Sequence, residues 1–208
     1  MNLAGLVVVA FLDRGGEIAV DGVRRTLASY AGSDAQFESI GQCVRKRFAA
    51  FDIDIVTREP AHGPFIHVIF GGKASAKGYD DETVGGVAPS FDGTVQPDAT
   101  VYVFSDGSEA KLTYLCGAAA HEVGHALGLD HSRTCYDLMS YCDVGHAREF
   151  VDVDGPCGEH EDRSCYGALT LARQNTYRKL AEALGLRHEA KPEDPYPVDK
   201  RTPVDPYR

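Results

Sequence analysis

Three of the eight histidines in this 208-residue chain fall in one short run. It reads His121-Glu122-Val123-Gly124-His125-Ala126-Leu127-Gly128-Leu129-Asp130-His131. His121 and His125 are four residues apart, so on a helix both imidazoles leave the same face, one turn above the other. Gly128 permits the positive φ that ends a helix and turns the chain, which brings His131 back toward the first two. Three imidazoles gathered this way suit one zinc ion at about 2.0–2.1 Å per nitrogen. They leave a fourth position open, the mark of a catalytic site rather than a structural one. Glu122 adjoins the first ligand and can reach an attacking water without occupying the metal. Five fixed residues at such spacing arise by chance in a chain of this length on the order of once in ten thousand or less. The other histidines, His62, His67, His146, His160 and His188, share no such spacing and read as ordinary core or surface residues.

These ligands need a helix and a scaffold behind it. The pattern is helical from about Ala110 to Gly128. Ahead of it, Leu3–Leu12 is rich in β-branched residues, and no Lys or Arg precedes it as a signal peptide would require. It reads as a buried first strand closed by Gly15-Gly16, with any signal or pro-segment lying outside this chain. Ser33-Asp34-Ala35-Gln36 has the capping-box pattern of a helix start. Phe37, Ile40, Val44 and Phe48 then give that helix one apolar face, with Lys46 and Arg47 suited to its C-terminal dipole. Ile53–Thr57, Phe65–Phe70 and Thr100–Phe104 read as strands, and Val84–Ala88, with its two glycines and Pro89, as an edge strand. Ser164 is expected to cap a last helix ending at Gly185. Residues 1–185 are therefore read as one domain, and the Pro-rich residues 186–208 as a tail or linker.

Composition narrows the partners. With 21 Lys plus Arg against 31 Asp plus Glu, the net charge of −10 argues against a nucleic-acid backbone or an anionic membrane. No apolar run approaches the roughly 18 residues of a membrane span. Cys43, Cys116, Cys135, Cys142, Cys157 and Cys165 form no C-x2-C pair, and their even count favours disulfides in an oxidising, extracellular compartment. Spacing alone leaves the connectivity open; the favoured set is Cys43–Cys116, Cys135–Cys142 and Cys157–Cys165.

The histidine run resembles that of the metzincin zinc endopeptidases. These enzymes also place a methionine turn beneath the metal, and Asp137-Leu138-Met139-Ser140-Tyr141 follows His131 closely. Ala126–Ser132 is similar to matrixins, whereas Met139-Ser140-Tyr141 is closer to serralysins and astacins. No cysteine-switch segment of the matrixin kind and no serralysin-type calcium repeat stands in the sequence. The resemblance implies an α/β (α+β) fold over about residues 5–185. Its parts would be a twisted, mostly parallel sheet with an antiparallel edge strand, an active-site helix, a methionine turn and a C-terminal helix.

It implies peptide-bond hydrolysis by a secreted, monomeric enzyme with one catalytic Zn2+. His121, His125 and His131 would bind the metal, Glu122 would move the proton, and Met139 would form an apolar floor. Tyr141 has two readings, an oxyanion donor or a packing residue. Gly85, Gly86, Val87 and Ala88 are the candidate cleft residues, accepting a protein or peptide substrate as an added strand. Asp143, Glu149, Asp152, Asp154, Glu159, Glu161 and Asp162 follow the methionine turn. They read as a solvated acidic loop, a pocket for a basic side chain, or a Ca2+ site. Two other classes stand beside the endopeptidase: a zinc exopeptidase or amidase, and a non-catalytic metal-containing binding module.

Overall fold

The computed structural model describes residues 8–20, 23–89, 91–106, 112–142, 148–166 and 173–187, with the backbone alone for 16–20 and 23–26. Strand β1 (Val8–Asp13) is the centre of the N-terminal half. It runs parallel to β4 (Ile53–Val56) on one side and to β5 (Ile66–Phe70) on the other. β5 pairs in parallel with β7 (Thr100–Val103), and β6 (Gly86–Val87) closes the edge antiparallel to β7. The five-stranded order is thus β4-β1-β5-β7-β6, mostly parallel with one antiparallel edge strand, as the metzincin resemblance implies.

Parallel strands are long apolar runs because helices or loops cover both faces. Ala10, Leu12, Ile66, Val68, Phe70, Val101 and Val103 are all fully buried. Helix α1 (Asp34–Arg47) packs Phe37, Ile40 and Val44 into this core. Its start is the expected capping box: Ser33 Oγ accepts from the Gln36 N–H at 3.2 Å, and Gln36 Oε1 accepts from the Ser33 N–H at 2.8 Å. Asp34 in the first turn and Arg45, Lys46 and Arg47 in the last complement the helix dipole. Helix α2 (Leu112–Ala126) is different, because every residue from Ala119 to Ala126 is buried. A helix that is apolar all round belongs inside a core rather than on it.

Cys43 and Cys116 join α1 to α2 across a sequence separation of 73. Closing so long a loop contributes about 4 kcal/mol by the chain-entropy relation. Cys135–Cys142 and Cys157–Cys165 are the other two disulfides, so the favoured connectivity is the one the structure has.

Three parts differ from the sequence expectations. A β-hairpin, β2 (Gly16–Val20) with β3 (Val23–Leu27), stands where no strands were expected. The last helix, α3, spans Thr176–Leu184 and is capped by Asn175, whose side chain accepts from the Arg178 N–H. Ser164 does not cap it: Arg173–Gln174 forms strand β9 instead, pairing antiparallel with β8 (Gly155–Pro156). Leu169 and Ala172 lie outside the described residues, as do residues 3–7 of the first expected strand. Beyond Gly185, Leu186 bridges to Phe51 and the Arg187 N–H donates to Ala50 O. Residues 188–208 lie outside the described residues. No helix among the described residues is long and apolar enough to cross a membrane.

Candidate metal centre

The end of α2 builds the centre. The Leu129 N–H returns to Gly124 O at 2.9 Å and the Gly128 N–H to His125 O at 2.9 Å, a Schellman closure. Gly128 has φ 84°, a conformation in which a Cβ is strained, so glycine is the residue that lets the helix stop here. The chain then turns and carries His131 back against the helix.

Each imidazole is held at its Nδ1. His121 Nδ1 lies 3.1 Å from Leu138 O, and His125 Nδ1 lies 2.8 Å from Leu129 O. His131 Nδ1 lies 2.7 Å from Glu159 Oε1. Carbonyls and carboxylates only accept, so each Nδ1 carries a proton, and Nε2 is the nitrogen with a bare lone pair in a neutral ring. His125 Nε2 and His131 Nε2 face one another at 3.1 Å. Two such lone pairs repel unless a cation lies between them. The three rings group within ligand reach of a single ion. Burial and the neighbouring His125 and His131 push His121 well below the ordinary histidine range. Burial, then His131, pushes His125 down to about 4. Both rings are therefore neutral and ligand-ready at neutral pH.

The floor is the turn Asp137–Tyr141. Met139 is fully buried, and a Cβ on Gly124 would stand 2.7 Å from its sulfur. Gly124 in the helix thus leaves the space that Met139 fills. Asp137 fixes the turn by accepting from the Met139 N–H at 2.9 Å and from Thr176 Oγ1 at 2.8 Å. Burial raises Asp137 to about 6 against these hydrogen bonds. Glu122 is buried beside His121, and burial raises its carboxyl to about 8.

A family model described as Matrixin matches residues 14–152, more than half of the chain. The chain belongs to the matrixin family. No curated protein matches it. Matrixins are zinc-dependent metalloproteases that act on proteins and are typically extracellular, which accords with three disulfides.

Within this matrixin domain the remaining candidates occupy defined places. Tyr141 is 53% exposed, and its ring lies 4.6 Å from that of His131 and stacks on His121 at 5.8 Å. It borders the centre rather than filling core space. Partial desolvation, then the charges of Glu122 and Glu159, pushes the phenol up to about 12, so it is a proton donor at neutral pH. Gly86 and Val87 form β6, and the Phe104 N–H donates to Gly85 O at 2.9 Å. Ala88 packs on the core just beyond them. A Cβ on Gly86 would lie 2.6 Å from Glu122 Oε1 and 2.9 Å from Tyr102 O. The edge strand and Glu122 are therefore immediate neighbours.

The acids after the methionine turn are mostly engaged by the chain's own cations. Glu149 pairs with Arg47, Asp162 with Arg133, and both Asp152 and Asp154 with Arg178. Glu161 is exposed, and Asp143 lies outside the described residues. Glu159 is the exception in kind, since it holds a candidate metal ligand. Sequence reasoning counted Glu159 only as one acid among seven and missed Asp130, Arg163 and Thr176 altogether. The signal that could have found one of them was weak: Glu159 and Arg163 are spaced four apart.

Proposed function

We propose that this domain is a zinc endopeptidase that cleaves internal bonds of extended polypeptides. The observation that carries this reading is the arrangement of three Nδ1-anchored imidazoles around one point beside a buried carboxyl. His121, His125 and His131 would hold the metal. A zinc ion held there would supply Lewis-acid chemistry, polarising the scissile carbonyl and acidifying the attacking water.

The chain's own groups do the rest. Burial keeps the Glu122 carboxyl protonated in the metal-free chain, and a cation held by the three histidines beside it would favour its ionised form. As a carboxylate it would take a proton from the attacking water and pass it to the amine nitrogen as the C–N bond breaks. Tyr141 donates its phenolic O–H to the oxygen that gains negative charge. Met139 and Gly124 keep the floor apolar and closely packed. The polypeptide adds to the free edge of β6 at Gly85–Ala88, which sets the scissile bond over Glu122. Residues 1–185 form the catalytic domain and 186–208 a tail, and the domain acts as a secreted monomer. The engaged acids favour neither a basic-side-chain pocket nor a Ca2+ site.

The experiment is casein digestion with zinc analysis. One zinc per chain is expected, proteolysis is expected to stop with 1,10-phenanthroline, and added Zn2+ should restore it. One zinc per chain with no cleavage of casein or a random peptide library would refute the endopeptidase reading. Release of single terminal residues only would support an exopeptidase in its place.

Gly86→Ala tests the cleft. The added methyl must displace Glu122 or the backbone of β7, so kcat/KM is expected to fall at least about tenfold, since sub-ångström misplacement of a reacting group is costly. Zinc content should stay at the wild-type level. Unchanged kcat/KM would separate β6 from the cleft.

A further inference from the structure

His131 is held unlike the other two ligands. His121 and His125 sit on a rigid helix and bond backbone carbonyls. His131 lies past the helix end and bonds a side chain, Glu159 Oε1 at 2.7 Å. That carboxylate is 38% exposed and free to rotate unless something fixes it. Arg163 fixes it at both oxygens: Nη2 lies 2.7 Å from Oε1 and Nε lies 3.2 Å from Oε2.

Arg163 is anchored in its turn. Its Nη1 and Nη2 donate to Asp130 Oδ2 and Oδ1 at 2.6 and 2.8 Å, a bidentate pair with a carboxylate that has no exposure. Asp130 also accepts from the His131 N–H at 2.7 Å and from the Tyr166 N–H at 2.8 Å. The contacts close a ring: Asp130 holds the backbone of His131, Glu159 holds its imidazole, and Arg163 ties the two acids together. The Cys157–Cys165 disulfide closes the loop that carries Glu159 and Arg163. This loop lies beyond residues 14–152, the part that matches the Matrixin model.

We propose that the Cys157–Cys165 loop is an outer-shell clamp for the metal, in which Glu159, fixed by Arg163, is the positioning residue for His131. The proposal rests on the reading of His131 as a zinc ligand. A carboxylate at Nδ1 fixes the tautomer, aims Nε2 at the metal and strengthens the imidazole as a donor. Two helical ligands need no such help, whereas the third, on irregular chain, does. The clamp thus replaces the rigidity that His131 lacks, and its effect should appear in how long zinc is retained.

The test is zinc release to a chromophoric chelator from the zinc-loaded protein, beside melting of the metal-free protein. Glu159→Ala is expected to release zinc about 10–100 times faster than wild type, the usual effect of removing such a partner. Glu159→Gln should lie between, because its amide oxygen still accepts from Nδ1–H without the charge. The metal-free melting midpoint of Glu159→Ala should stay near wild type. Visible bands of the Co2+-substituted protein should shift in the same order as the release rates. Wild-type release from Glu159→Ala, with zinc lost in His131→Ala, would overturn the clamp and keep the ligand reading. Retention of zinc by His131→Ala would overturn the ligand reading itself. Faster release matched by an equally lowered metal-free midpoint would leave the loop a structural role only and overturn the proposal.

Discussion

Glu122→Gln should leave one zinc per chain and lower kcat for peptide hydrolysis by about a thousandfold. A positioned general acid–base contributes typically about 10²–10⁴ in rate, which corresponds to about 3–5 kcal/mol of barrier. The substitution keeps the volume and removes the proton acceptor, so burial and packing on α2 are unchanged. No salt bridge among the described residues engages the Glu122 carboxyl, so the amide leaves no cation orphaned. It also removes a group whose charge burial disfavours, so the metal-free protein should melt no lower than wild type. The loss is therefore expected in chemistry alone, with KM and zinc content near wild type. A Gln variant that keeps a tenth or more of wild-type kcat with zinc in place would remove Glu122 from the proton transfer.

The histidine-bearing helix is legible in the sequence because its chemistry is local. A spacing of four puts two imidazoles on one helical face, and a glycine that can take φ 84° supplies the turn to the third. The capping box at Ser33 and the β-branched strands were legible for the same reason, since local geometry decides them. The hairpin β2–β3 has one local signal in the sequence, Asp21-Gly22, a dipeptide favoured in two-residue hairpin turns. The start of α3 is hidden in the sequence because the apolar spacing of Leu169, Ala172, Leu180 and Leu184 runs on through it. Pairing of Arg173–Gln174 with Gly155–Pro156 takes those residues into a sheet, and Asn175 supplies the cap. The ring of Asp130, Glu159 and Arg163 could not be read at all. Glu159 meets His131 across 28 residues and Arg163 meets Asp130 across 33, and only the folded loop joins them.

Arg163→Met is expected to destabilise the metal-free protein by about 3 kcal/mol. The substitution keeps most of the aliphatic length and deletes the charge. Asp130 has no exposure and would lose a bidentate partner, which leaves a buried carboxylate with the His131 and Tyr166 N–H groups and the charge of Lys179, which makes no salt bridge to it. Removing one partner of a buried pair is costly for that reason, while the half of the interaction that reaches the partly exposed Glu159 adds at most about 1 kcal/mol. Arg163 also stands 4.6 Å over the Tyr166 ring, a contact that methionine retains only in part. For a domain of this size the loss corresponds to a melting midpoint lower by about 6–12 °C. The cost comes from the stranded charge rather than from lost packing, so Asp130→Asn in the same chain should return much of it. Thermal unfolding of wild type, Arg163→Met and the double variant decides between the two origins. A midpoint for Arg163→Met within about 2 °C of wild type would mean that Asp130 is satisfied by its backbone donors alone. A double variant that melts no higher than Arg163→Met would instead assign the loss to packing of the Cys157–Cys165 loop.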